Sequence, residues 1–133
     1  ILQMRIFLTG GTGFIGSYFI DNTLDIGHEL ICLRRPGSKN KRKLKNKPIW
    51  IDGTYEDDYN DALIGCDVFV HLAAHSTNFP YDTLENCLHW NVIAPLRILQ
   101  NAKNSGIQKF IIISKMSVFL FEFNRGCPRE SLL

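Results

Sequence analysis

Apolar and polar positions along this chain fall into two alternating rhythms. Ile6, Phe7 and Leu8 form a short unbroken apolar run. A polar, glycine-rich stretch follows, and then Phe14, Ile15, Tyr18, Phe19 and Ile20 return at helical spacing. That helix is expected to reach about Leu24 and to stop at Gly27. Further apolar runs at residues 29–33, 48–51, 68–72 and 110–113 have the length of strands. Between them, residues 57–64 read as a short helix closed by Gly65. Residues 82 to about 104 read as one long helix. In it Leu84, Leu88, Val92, Leu96 and Leu99 suit a buried face, Pro95 marks a kink and Gly106 a stop. Five strands alternating with helices predict one α/β domain over residues 1–133. Its mostly parallel sheet of about five strands, order 3-2-1-4-5, should be doubly wound, with right-handed crossovers and helices on both faces.

Ligands of such sheets sit at the carboxyl ends of the strands. Gly10, Arg34, Thr54, Ala73 and Ser114 all fall at such ends. The most informative is the first. Residues 4–16 read M-R-I-F-L-T-G-G-T-G-F-I-G, a strand, a glycine turn and a helix start. Gly11-x-Gly13-x-x-Gly16 matches the dinucleotide fingerprint, and Gly10-x-x-Gly13-x-x-Gly16 reads equally well. Glycine permits the sharp reversal, a close approach by a diphosphate, and tight packing of the helix on the strand. The helix then points its free N–H groups and positive end at the phosphates. A glycine-rich turn with no ligand is the plainer alternative, and its place between strand and helix argues against that. Ala73 and Ala74, small residues after the fourth strand, point independently to a groove.

Composition adds little until its distribution is considered. The hydrophobic fraction of 45%, the charged fraction of 21% and the net charge of +2 are ordinary for a globular domain of 133 residues. Residues 34–47 carry eight basic side chains and no acidic one. This run lacks interleaved aromatics, so nucleic-acid binding is disfavoured against a solvated loop whose field attracts a phosphorylated cofactor. Arg34 and Arg35 stand at the tip of the second strand, where an acidic residue would accept from a ribose 2′-hydroxyl. Arginine there suits a 2′-phosphate, so NADP is expected over NAD. Two solvated arginines near an adenine are the alternative. Four cysteines without a C-x-x-C pair suggest reduced thiols and no zinc site. His71 and His75 lack an evident third ligand, so no metal is expected. With no membrane-length apolar run and no leader-like start, a cytoplasmic location without membrane attachment is expected.

The ordered motifs T-G-G-T-G-F-I-G (9–16), D-V-F-V-H-L-A-A (67–74), Asn91-Val92 and F-I-I-I-S (110–114) resemble the NAD(P)-dependent epimerase/dehydratase family. This is the extended branch of the short-chain dehydrogenases/reductases. The resemblance implies a Rossmann-like fold and hydride transfer on a nucleotide sugar or related hydroxyl/carbonyl substrate. It implies that Gly10, Thr12, Gly13 and Gly16, with the backbone of Phe14 and Ile15, form the diphosphate turn. Arg34, with Arg35 beside it, takes the ribose position. Thr54 and Tyr55 fall beside the adenine, and Thr54 replaces the family's usual Asp. Leu72, Ala73, Ala74 and His75 would line the cofactor, and Asn91 would organise the active site.

Two departures concern catalysis. The position of the family's catalytic Ser/Thr falls on Lys115, flanked by Ser114 and Ser117, any of which is a candidate. No Tyr-x-x-x-Lys pair occurs in these 133 residues. The chain therefore reads as the amino-terminal part of a longer enzyme, with a non-catalytic dinucleotide-binding module as the alternative. Cutting the sheet after its fifth strand would leave an exposed apolar edge, so self-association, as in a homodimer, or disorder after about Val118 is expected.

Overall fold

The computed structural model describes residues 2–113. Five parallel strands, β1 (Arg5–Thr9), β2 (Glu29–Arg34), β3 (Ile49–Asp52), β4 (Val68–His71) and β5 (Lys109–Ile112), form one sheet in the order β3-β2-β1-β4-β5. This is the expected order, and each strand lies within one residue of the run that announced it. Alternation along the inner strands divides the core between the two faces. Ile6, Leu8, Leu30, Cys32, Val68 and Val70 face helix α1 (Phe14–Ile26), which contributes Ile20. Phe7, Ile31, Leu33 and Phe69 face the other way, onto Leu63, Ile98 and Ala102. Strands buried on both faces have no polar side to show, which is why their runs are continuous.

Helix α1 ends on Gly27 in the left-handed region, whose N–H caps the carbonyls of Thr23 and Leu24. The second helical segment is shorter than expected. Only α2 (Asn60–Leu63) is helical. The acidic residues before it are spent on a turn, since Asp57 accepts from the Thr54 N–H at 2.8 Å and Asp58 from the Asn60 N–H at 2.9 Å. Tyr59 is buried with a non-helical backbone, its hydroxyl donating to the Thr54 carbonyl at 2.5 Å.

The expected long helix is three pieces: α3 (Leu84–Leu88), a π-helical turn (His89–Ile93) and α4 (Ala94–Asn104). The Ala94 N–H reaches back five residues to the His89 carbonyl. Pro95 follows and has no N–H to restore the ordinary register. One added residue rotates the following turns by about 100°. The apolar stripe drawn through this segment fails on both sides of the break. Leu84, Leu88, Val92 and Leu96 are exposed, and Leu99 alone of that set packs on the core. The buried positions of α4 are Ala94, Pro95, Ile98 and Ala102. Strand β5, expected to be as buried as a central strand, is the edge of the described sheet, and Ile111, Ile112 and Ile113 are exposed.

The basic run is neither free nor helical. Arg42 is held by helix α1, donating to Asp21 Oδ2 at 2.6 Å and to the Ser17 carbonyl at 3.1 Å, with its guanidinium over the Tyr18 ring. The N–H groups of Lys45 and Asn46 donate to Asp21 Oδ1. Asp21 is a buried acid whose desolvation is outweighed by the bonds from Asn46, Arg42 and Lys45, so its carboxyl stays below the ordinary value. The Lys41 N–H donates to the Thr12 carbonyl at 2.9 Å, which lays this loop against the glycine turn.

Candidate dinucleotide site

The residues expected at the site and described by the structure converge on the carboxyl end of the sheet. Gly10, Thr12 and Gly13 follow β1, Arg34 and Arg35 end or follow β2, Thr54 and Tyr55 follow β3, and Leu72 to His75 follow β4. Asn91 arrives from the π-helical turn. Ser114, Lys115 and Ser117 lie outside the described residues, as does Cys127.

The three glycines of the turn have different reasons to be glycine. Gly10 has φ +81°, and a β-carbon there would stand 2.5 Å from the Ala73 nitrogen. It is needed for the turn and for the exit of β4, which runs against it. A β-carbon on Gly16 would overlap the Gly10 carbonyl oxygen and lie 2.8 Å from the Gly11 Cα. That glycine lets helix α1 sit on the turn. Gly11 is constrained as well, since a β-carbon there would stand 2.9 Å from the Ile20 side chain and 3.4 Å from that of Trp50. Gly13 is different. It has φ −75° and ψ 176°, which any residue adopts, and a β-carbon would touch only the Gly10 oxygen at 3.4 Å. Nothing inside the protein requires glycine at Gly13. It is the N-cap of α1, whose first turn carries no capping side chain and no acidic residue. The positive end of the helix is thus presented beside a bare backbone, which fits an incoming diphosphate.

Around this turn the polar groups are already arranged. The Asn91 side chain clamps the backbone of His75 in both directions, accepting from its N–H at 2.8 Å and donating to its carbonyl at 3.1 Å. This fixes the segment after β4 against the π-helical turn. The His75 Nε2 lies 2.7 Å from Asp82 Oδ2, and with bonds from His75, Asn86 and the Thr83 N–H the Asp82 carboxyl drops to about 2. His89 reaches Glu56 at 2.7 Å, tying that turn to the loop after β3. The Thr54 hydroxyl accepts from the Glu56 N–H at 3.3 Å, a bond within its own exposed loop. The Tyr55 ring meets His71 edge-on, 5.9 Å between centres, and burial raises its hydroxyl pKa.

His71 and His75 do not act together. Among the described residues no group of three His, Cys, Asp or Glu could hold a metal ion. His71 is buried at the end of β4, with Nδ1 2.6 Å from the Thr9 hydroxyl. Burial holds its pKa below the ordinary 6.5. The unfolded chain therefore takes up this proton at a pH where the folded chain does not, and stability falls as the pH drops below about 6.5. The carboxylates with lowered values act in a lower range, below 3.8. Urea midpoints should decline between about pH 7 and pH 5 in the native chain, and His71→Gln should flatten that slope. An equal slope in the variant would show that other groups carry it.

Sequence reasoning missed Asp52, Asp21 and the Thr9–His71 pair. Asp52 follows the apolar run at 48–51 and is the last residue of β3, in register with Arg34. Arg34 Nε donates to Asp52 Oδ1 at 2.7 Å and Nη2 lies 3.4 Å from Oδ2. Pairing lowers the Asp52 carboxyl and raises the Arg34 guanidinium.

A parallel sheet in the order β3-β2-β1-β4-β5, with helices packed on both faces and a glycine turn leading into α1, defines a Rossmann-type fold. The chain belongs to the NAD dependent epimerase/dehydratase family, whose model matches residues 6–119. A putative dihydroflavonol 4-reductase of Synechocystis is 33% identical over 113 residues, covering 84% of this chain and 32% of the relative. A decarboxylating sterol-4-alpha-carboxylate 3-dehydrogenase of Dictyostelium discoideum is 28% identical over 122 residues, 87% of this chain and 37% of its own length. Among solved structures, a UDP-glucose 4-epimerase of Thermotoga maritima, crystallised with UDP-glucose, is 26% identical with a TM-score of 0.65, over 82% of this chain and 37% of that one. The chain thus spans about a third of the length of these curated relatives. Among the described residues no helix is long and apolar enough to cross a membrane.

Proposed function

We propose that this chain is the nucleotide-holding part, one domain over residues 1–133, of an epimerase/dehydratase-like oxidoreductase. The bare Gly13 at the N-terminus of α1 is the observation that carries this reading, because no internal contact explains it. The Gly10–Gly16 turn holds the diphosphate, with backbone N–H groups at the start of α1 as donors. Leu72, Ala73 and Ala74 form the apolar floor beside the turn, and Asn91 keeps the His75 backbone in place. A bound nicotinamide supplies a hydride acceptor or donor for a hydroxyl or carbonyl carbon. Ser114 or Ser117, which follow β5 in sequence, hydrogen-bonds the substrate oxygen in this reading, with Lys115 between them in sequence. The UDP-glucose bound by the Thermotoga maritima relative supports a nucleotide sugar as the substrate class. The preference for NADP expected from Arg34 and Arg35 loses one of its two arginines, because Arg34 is paired with Asp52. The unpaired thiols of Cys32, Cys66 and Cys87 support a reducing compartment such as the cytoplasm. Titration calorimetry of the purified chain with NAD⁺ and NADP⁺ tests the reading. Saturable heat with at least one of them is expected, and no heat with either overturns it.

A further inference from the structure

The tip of β2 carries no acidic residue in sequence, yet the fold delivers one. Parallel pairing of β2 with β3 sets Arg34 opposite Asp52. The guanidinium engages both carboxylate oxygens, 2.7 Å from Oδ1 and 3.4 Å from Oδ2. It also lies over the Trp50 ring, 4.6 Å from its centre. The Gly53 N–H donates to the Arg34 carbonyl at 2.9 Å, so the backbone of the tip is fixed too. Trp50 in turn borders the glycine turn, since a β-carbon on Gly11 would stand 3.4 Å from its Cη2. Arg34 is thus laid along β3 with its charge compensated, beside the place where the adenosine ribose meets this fold. The Asp52 side chain is 52% exposed, which leaves carboxylate lone pairs open on the solvent side. Among the described residues Arg35 has no ion-pair partner, so one cation remains at the tip.

We propose that Asp52 is the residue that selects between the nicotinamide nucleotides, favouring NAD over NADP. It does so in two ways. From β3 it supplies the acceptor for a ribose 2′-hydroxyl that β2 lacks. By holding Arg34 it withdraws the fork that a 2′-phosphate would need, and it sets a carboxylate against that phosphate. This inference rests on the dinucleotide reading above and reverses the cofactor preference that the two arginines suggest in sequence.

The test is titration calorimetry of the full chain with NAD⁺ and NADP⁺ separately. The native chain should bind NAD⁺ more tightly. Asp52→Asn keeps the shape of the side chain, removes the charge and frees Arg34. It should shift the ratio of the two dissociation constants toward NADP⁺ by on the order of tenfold. The double variant Asp52→Asn with Arg34→Ala should lose that gain. Arg34→Ala alone should keep NAD⁺ binding without improving NADP⁺, which provides a second reading should Asp52→Asn fail to fold by circular dichroism. Tighter NADP⁺ binding by the native chain, or an unchanged ratio in Asp52→Asn, overturns the role of Asp52 and leaves the dinucleotide site standing. Absence of binding by the native chain to either nucleotide overturns the site itself, and the selection with it.

Discussion

Gly13→Ala is expected to leave the chain folded and to weaken dinucleotide binding by at least about a hundredfold, the equivalent of about 2.7 kcal/mol. The reason lies in what surrounds that residue. Its backbone angles are open to alanine, and the added methyl would meet nothing of the protein closer than 3.4 Å. Alanine is a poorer N-cap than glycine, but the glycine it replaces contributes no side-chain bond, so stability should change little. The methyl would instead occupy the space through which a diphosphate reaches the first N–H groups of α1. A charge-assisted hydrogen bond contributes about 1.5–3 kcal/mol, so displacing the diphosphate from one or two of them accounts for the loss. Calorimetric titration with NAD⁺ together with a urea melt separates the two effects. Binding that survives in Gly13→Ala would mean that the bare turn is not where the nucleotide sits.

Much of this was legible before any coordinates, and the reason is locality. A glycine turn, the strand before it and the helix after it are specified by neighbours in sequence. So the glycine turn between β1 and α1, and the small residues leaving β4 at the same end of the sheet, could be read directly, while the strand order follows from the alternation of strands and helices. What could not be read depends on register between segments. Asp52 lies 18 residues from Arg34, and its meaning comes only from β2–β3 pairing. Read along the chain it is only the polar residue that follows an apolar run. Asp21 has a similar history. On a helical wheel it is a polar residue of α1, and only the return of residues 42–46 buries it under Arg42 and two backbone N–H groups. The basic run looked like a solvated tract because its acidic partners, Asp21, Asp25 and Asp52, are on other elements. The part of the apolar stripe that falls on α4 has a different cause. A period of 3.6 holds only while the hydrogen-bond register holds, and the π-helical turn before Pro95 breaks it without any glycine to announce the change.

Gly16→Ala should act in the opposite sense to Gly13→Ala, through the fold rather than the ligand. In a helix interior, alanine is ordinarily favoured over glycine by up to about 1 kcal/mol. Here the new β-carbon would overlap the carbonyl oxygen of Gly10 and press to 2.8 Å on both the Gly10 carbonyl carbon and the Gly11 Cα. All three are backbone atoms of a turn that is itself pinned. Gly10 packs its own α-carbon against Ala73, so it cannot retreat toward β4 without opening the contact between those segments. The helix must lift from the turn instead, pulling Ile20 and Ser17 out of the face they fill completely. Overpacking of a tight site commonly costs about 1–3 kcal/mol, and a clash with backbone on both sides belongs at or above the upper end. We therefore expect a loss of about 3 kcal/mol or more, enough to unfold a marginal domain at room temperature. A urea midpoint for Gly16→Ala equal to that of the native chain would contradict the packing of α1 on the turn described above. A folded, destabilised variant that still titrates with NAD⁺ at lower temperature would locate the effect of Gly16 in the scaffold, with ligand approach left to Gly13.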